Sequence, residues 1–135
     1  MGIGALITWL ITALGGFYLL GTWIRNGGTK RPSTSKFPPG LIFGHFALAA
    51  IGLVVWIVYL LAGTDALSWV AFVLLVPVAV LGFTMLARWW AGRGQIAEQP
   101  AAEQRFPVPV IAGHGVFAVT TVVLVLLTAL GIGTA

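Results

Sequence analysis

The sequence predicts an all-α membrane protein with four transmembrane helices in an up-down-up-down bundle, made of two repeated helical hairpins within a single domain. Two observations support this prediction. Of the 135 residues, 59% are hydrophobic and only 7% are charged, and the mean hydropathy is +1.05, which is far from the composition of a soluble domain. Residues 37–60 and 106–129 also repeat one another at a constant offset of 69, which gives repeat units of about 1–63 and 66–135.

The first hairpin contains predicted helices over residues 3–24 and 39–63. The first is an uncharged run, long enough to cross a hydrocarbon core of about 30 Å at about 1.5 Å per residue. Its start has no basic residue, so we expect a retained helix rather than a signal peptide. Arg25 ends it, and a polar loop rich in glycine, proline and serine follows. Prolines open the second helix, where they cost no hydrogen bond.

The second hairpin contains predicted helices over residues 66–90 and 107–132. Thr64-Asp65 is nearly all that separates the second helix from the third, so these two helices should pack antiparallel. Pro77 falls inside the third helix and is expected to bend it. Tryptophans near helix ends are expected to be membrane-interface anchors, and those nearer mid-helix to face lipid or a cofactor. The first group is Trp23, Trp69, Trp89 and Trp90, and the second is Trp9 and Trp56.

All seven basic residues lie in or beside the two longer loops. The positive-inside tendency therefore predicts that both loops are cytoplasmic and that both termini lie outside, in a multi-pass protein of the plasma membrane. This distribution explains the net charge of +4 as an orientation signal. The expected partner is the lipid bilayer, and no nucleic-acid partner is expected.

The chain has only two histidines, and they occupy equivalent places in the repeat as Gly44-His45 and Gly113-His114. Each follows its proline by six or seven residues, which places both about 9 to 11 Å into their helices from the cytoplasmic end. The second and fourth helices are diagonal partners in such a bundle. The two side chains could therefore point at each other and ligate one flat macrocycle from both faces.

Neighbouring residues are compatible with such a ligand. Small residues on the histidine faces would leave a slot, namely Ala49 and Gly52 on the second helix and Ala118 and Thr121 on the fourth. A small, polar stripe on the first helix suits close packing in a bundle and comprises Thr8, Thr12, Gly15 and Thr22. Basic residues at the cytoplasmic end could meet acidic groups of the ligand; they are Arg25, Lys36, Arg88 and Arg105. Each imidazole would keep one nitrogen to donate to a backbone carbonyl one turn back.

Other uses of the histidines stay open. Each could bond a backbone carbonyl or a lipid headgroup, or each Gly-His could be a helix-packing contact duplicated with the hairpin. The pair could also bind a metal ion, a proton or a quinone. The chain has no cysteine, which excludes thiolate-ligated metals and covalently attached haem. It has no Asp or Glu inside a predicted helix, which argues against a carboxylate-driven proton antiporter. It has no phosphate-binding loop, which argues against phosphoryl transfer. Asp65 is expected on the opposite side of the membrane from both histidines, so no hydrolytic triad can form.

The two Gly-His pairs, near the same end of two parallel diagonal helices, resemble those of the bis-histidine four-helix b-type cytochromes of respiratory and ferric-reductase membranes. The resemblance covers the architecture of the whole chain and the motifs Gly44-His45 and Gly113-His114. It implies one non-covalent haem b per chain near the cytoplasmic face, with both histidines as axial iron ligands, and basic residues such as Arg25 and Arg88 near the propionates.

The resemblance also implies a function in electron transfer, as a small cytochrome or haem-bearing subunit rather than a stand-alone enzyme. Its redox partner would be a quinone or a redox protein, and it could join a larger membrane complex or a homo-oligomer. The main alternative is a cofactor-free accessory or scaffold subunit of a larger respiratory complex. A small transporter or channel, with the histidines lining a pore, is the third.

Overall fold

Four long α-helices make up most of residues 1–95 and 98–133, the part of the chain that the computed structural model describes. They are α1 (Gly2–Arg25), α2 (Pro39–Ala62), α3 (Asp65–Gly92) and α4 (Val108–Ala129), and a 3₁₀-helix (Ala102–Arg105) precedes α4. Each of the four is long and apolar enough to cross a membrane. No strand occurs among these residues. The predicted all-α membrane fold is therefore confirmed.

The ends of the helices follow from local chemistry. Pro39 is the first residue of α2, where its missing N–H is not needed. Gly63 ends α2 in the left-handed conformation, with φ of 67°, and its N–H bonds the carbonyl of Tyr59. Pro77 lies inside α3 without ending it. The last helix is shorter than predicted, because the chain turns at Gly131, which has a positive φ of 75°.

The helices pack as two antiparallel pairs. α1 packs mainly against α4, and α2 mainly against α3, whereas contacts between the two pairs are fewer. No close backbone approach joins α2 to α4 within the described ranges, so these two helices are diagonal partners as predicted. The seam between the α1/α4 pair and the α2/α3 pair is the loosest interface of the bundle.

Contacts between helix ends define two ends of the bundle. The indole Nε1 of Trp56 donates to the carbonyl of Gly2 at 3.2 Å, and the Met1 side chain lies against Gly133. The termini and the α2–α3 turn therefore share what we call the terminal end. The first long connection (residues 26–38) and the described parts of the second (93–95 and 98–107) lie together at the opposite, loop end. The assignment of the loop end to the cytoplasm stays a prediction.

Two apolar clusters fill the bundle, one toward each end. The terminal-end cluster is built on Ala5, Trp9, Trp56, Ala71, Leu75, Val78 and Val125. The loop-end cluster is built on Trp23, Phe37, Ile42, Trp89 and Ala102. Trp23 and Trp89 were expected at the membrane interface, and that expectation is wrong: they are 0% and 5% exposed, because their indoles point into the bundle. Trp9 and Trp56 face the core rather than lipid.

Buried positions of α1 and α3 correspond at an offset of 66 residues. The pairs are Ala5 with Ala71, Trp9 with Leu75, and Trp23 with Trp89, and all six side chains are buried. The α2 and α4 repeat has an offset of 69, so the second half of the chain has three more residues between these positions, one in α3 and two in the connection. Only the α2/α4 repeat was predicted from the sequence, because few residue types are identical between α1 and α3.

A buried carboxylate joins the two connections at the loop end. Glu103 is fully buried, and it accepts hydrogen bonds from the Ser35 hydroxyl at 2.7 Å and from the Lys36 backbone N–H at 2.6 Å. The Ser35 oxygen in turn accepts from the indole of Trp23 at 2.9 Å. This network fixes the first connection on the second and holds it over the loop-end cluster.

Candidate functional site

The imidazoles of His45 and His114 meet inside the bundle. Their ring centres are 6.4 Å apart and their planes are inclined by 63°. Both residues are half-buried. Along their helices, the loop-end cluster lies on one side of them and the terminal-end cluster on the other, because Ile42 precedes His45 and Trp56 follows it. The histidine pair is thus enclosed by apolar side chains at both ends.

Each histidine is anchored to the other helix of its own pair. Nδ1 of His45 lies 2.9 Å from the carbonyl oxygen of Val78 on α3, and Nδ1 of His114 lies 2.8 Å from that of Thr12 on α1. A carbonyl oxygen only accepts, so each Nδ1 carries a proton and donates it. In the neutral ring the lone pair is then on Nε2. A carbonyl one turn back on the same helix was expected as the acceptor, and that detail is wrong.

Glycines on α1 and α3 make room for the rings. A Cβ atom added at Gly16 would lie 3.1 Å from Cε1 of His114, and one added at Gly82 would lie 3.2 Å from Cε1 of His45. Gly16 and Gly82 each lie one turn after the anchoring carbonyl, that of Thr12 or Val78. The missing side chain therefore exposes the carbonyl to the imidazole. Neither glycine was predicted from the sequence as part of the site, although the two correspond at the 66-residue offset.

The spacing of the rings suits two axial ligands of one metal ion. An imidazole nitrogen lies about 1.1 Å from its ring centre, and a metal–nitrogen bond is about 2.1 Å long, so rings on opposite sides of one ion have centres about 6.4 Å apart. The observed separation is 6.4 Å. Each Nδ1 bonds within its own helix pair, and the two rings meet at the seam between the pairs.

The protein supplies two donor side chains at this site, His45 and His114. Among the described residues, no three His, Cys, Asp or Glu side chains lie close enough together to hold one metal ion. A structural zinc site takes four protein ligands. Haem iron needs only axial ligands from the protein, because the macrocycle supplies its other nitrogens. Two neutral imidazoles at this separation fit that requirement.

The predicted slot differs from the observed packing at two positions. The space beside Gly52 is filled by Trp9, whose ring would lie 3.1 Å from an added Cβ. The Thr121 hydroxyl bonds that of Thr8 at 2.9 Å and joins α4 to α1. These residues therefore line packed parts of the bundle rather than an open slot. Ala49 packs against the terminal-end cluster, and Ala118 is half-buried.

The glycines that precede the histidines do not pack against other helices. No atom lies within 4 Å of a Cβ added at Gly44 or Gly113. The alternative in which each Gly-His pair is a helix-packing contact is therefore wrong for the glycine. The glycines that contact a neighbouring helix at this level are Gly15, Gly16 and Gly82.

The structure does not bring Arg25 and Arg88 to the histidines. Both are exposed, and their guanidinium groups bond the Thr22 hydroxyl at 3.4 Å and the Lys36 carbonyl at 2.9 Å. Along their helices they lie about 14 Å beyond Gly16 and about 9 Å beyond Gly82, respectively. Their expected position near propionates stays a prediction.

Comparison with known proteins adds no assignment. No family model, no curated protein and no solved structure matches this chain. A functional proposal therefore depends on the geometry of the histidine pair.

Proposed function

We propose that the chain is a small integral-membrane b-type cytochrome, or the haem-bearing subunit of a larger assembly, and that it functions in electron transfer. It holds one non-covalent haem b at the seam between the helix pairs, with His45 and His114 as axial ligands. The loop end faces the cytoplasm, which places the haem nearer that side of the plasma membrane.

The observation that carries the proposal is the anchored histidine pair. Two rings 6.4 Å apart, each with Nδ1 donating to a carbonyl, leave two Nε2 lone pairs for one iron. Placing two polar rings inside a membrane bundle costs free energy, and residues retained at such positions usually have a function.

The protein's own groups would position and tune the iron. The carbonyls of Thr12 and Val78 fix the orientation of each ring and raise its basicity as a ligand. The loop-end cluster, closed by Trp23 and Trp89, shields the site from water, and burial of this kind influences the potential of a haem. Haem, when bound, supplies one-electron transfer.

A single haem nearer one face cannot by itself carry electrons across the whole bilayer. The proposed function therefore requires a second redox centre, either a quinone in the membrane or a redox protein on one side. Other subunits of a larger membrane assembly could also supply this second redox centre.

The decisive experiment is the visible spectrum of the detergent-purified protein, before and after reduction with dithionite. We expect a Soret band and a sharp alpha band on reduction, with one haem b per chain by the pyridine haemochromogen assay. His45→Ala and His114→Ala should each lose the haem, whereas Thr120→Ala, an exposed change on α4, should keep it. A colourless protein from haem-replete cells contradicts the proposal and favours the cofactor-free scaffold subunit.

A further inference from the structure

An apolar groove runs down the outer surface of the bundle between α3 and α4. Its volume is about 570 Å³, and its lining includes Phe83, Leu86, Trp90, Val108, Ile111 and Ala112. Phe83, Leu86, Trp90 and Val108 are exposed at the surface of the bundle. The groove extends from the level of Phe83 to the loop end, about 15 Å along α3, which is the depth of one leaflet of the hydrocarbon core.

A cationic side chain closes the groove at the loop end. The guanidinium carbon of Arg93 lies 4.8 Å from the ring centre of Trp89 and 5.9 Å from that of Trp90. A guanidinium stacked on aromatic rings keeps its in-plane N–H donors available for an anion. No carboxylate within residues 1–95 and 98–133 forms an ion pair with Arg93. The exposed Glu98 lines a separate loop-end pocket with Arg25 and Arg105.

The charge around this end of the groove is strongly positive. The loop end carries all seven basic residues but only two acidic ones, Glu98 and Glu103, and Glu103 is buried in its hydrogen-bond network. The third acid, Asp65, starts α3 at the terminal end. An anion that approaches Arg93 therefore meets a field that favours it.

We propose that this groove binds one anionic phospholipid, with an acyl chain along the α3/α4 surface and the phosphate on Arg93. The groove opens toward lipid, so its ligand must be an amphiphile that is already in the membrane. Arginine binds phosphate with two parallel N–H donors. A zwitterionic phospholipid offers the same phosphate but adds a cationic group, which the basic loop end disfavours. The proposal does not depend on haem binding.

The test is native mass spectrometry of the purified protein, titrated with phosphatidylglycerol or phosphatidylcholine of identical acyl chains. We expect one phosphatidylglycerol per chain, retained about fivefold more than phosphatidylcholine, because one cation near the membrane surface contributes about 1 kcal/mol. Arg93→Gln should remove this preference. Lys30→Gln makes the same charge change at an exposed loop position and should retain it.

A second pair of variants tests the groove without changing the charge. Ala87→Phe places a ring in the groove, and Ala47→Phe places the same ring at an exposed position of α2. Only Ala87→Phe should lower phosphatidylglycerol retention, with circular dichroism unchanged in both. Equal retention of the two lipids by the wild-type protein overturns the proposal. The proposal is also overturned if Arg93→Gln and Lys30→Gln lose the lipid preference equally. It is overturned as well if the two phenylalanine variants lower phosphatidylglycerol retention equally.

Discussion

The rings of His45 and His114 lie 6.4 Å apart although their helices, α2 and α4, do not pack against each other. The diagonal is spanned by side chains alone, and each ring is held from behind by a helix of its own pair, through Val78 or Thr12. A bundle that closed directly around α2 and α4 would leave no such seam. The rings are positioned by the Val78 and Thr12 carbonyls, whereas the bundle is held together by packing within the α1/α4 and α2/α3 pairs.

Alanine at Gly16 or Gly82 is expected to weaken haem binding. The new Cβ would lie 3.1 or 3.2 Å from a histidine Cε1, so the ring must shift by a few tenths of an ångström from its carbonyl. Loss of an outer-shell contact of this kind lowers metal affinity about tenfold or more. Haem titration of the apoprotein, followed at the Soret band, measures the effect.

Gly21→Ala is the matched control for these glycine variants. No atom lies within 4 Å of a Cβ added at Gly21 on α1, so haem affinity should not change, while alanine favours the helix by up to about 1 kcal/mol. Equal haem affinities for Gly16→Ala and Gly21→Ala would show that the glycine beside His114 does not position the ring.

Glu103→Gln is expected to destabilise the protein. The carboxylate accepts from both the Ser35 hydroxyl and the Lys36 N–H, and an amide turns one acceptor into a donor. A buried donor left facing another donor costs about 1–3 kcal/mol. The apparent melting temperature in detergent should fall clearly, whereas Glu98→Gln, at an exposed position, should leave it unchanged. Similar melting temperatures for the two variants would refute a structural role for the buried carboxylate.

The hydroxyls of Thr8 and Thr121 are expected to contribute a small coupling between α1 and α4. They form a hydrogen bond of 2.9 Å, and bonds of this type in membrane proteins average about 0.6 kcal/mol. A double-mutant cycle with Thr8→Val and Thr121→Val, read from unfolding in detergent, should give that coupling. Thr120→Val is the control, because the Thr120 hydroxyl bonds only its own helix, at Val116. Additive effects of Thr8→Val and Thr121→Val would contradict the contact.

The orientation of the bundle is testable because the native chain has no cysteine. Ser33→Cys on the first long connection and Thr64→Cys at the α2–α3 turn are both exposed. A membrane-impermeant maleimide should label Thr64→Cys in intact cells and Ser33→Cys only after permeabilisation. The reverse pattern would place the loop end outside.

The helices and the approach of the two histidines were predictable, and their surroundings were not. Length and hydropathy define membrane spans, and a repeated Gly-His at one depth on two diagonal helices brings the rings together. The acceptors Thr12 and Val78 could not be predicted, because a cross-helix contact depends on how each helix is rotated. The only sign of these acceptors in the sequence is the glycine one turn after each of them, Gly16 after Thr12 and Gly82 after Val78.

The burial of Trp23, Trp89 and Glu103 could not be predicted from the sequence either. A tryptophan near a helix end suits the membrane interface, but the same residue also fits the loop-end cluster when its indole points inward. Hydropathy cannot separate these cases, because both environments accept an amphipathic ring. Glu103 is buried only because the two connections fold onto each other, and such loop contacts leave no periodic pattern.

Low-temperature electron paramagnetic resonance of the oxidised protein tests most directly whether His45 and His114 share one iron. We predict a low-spin ferric signal for the wild-type protein, because two imidazoles complete its coordination. His114→Gly should lack bound haem, and added imidazole should restore both haem binding and the low-spin signal. A high-spin wild-type protein, or a low-spin signal that survives in His114→Gly without imidazole, would contradict shared ligation by the histidine pair.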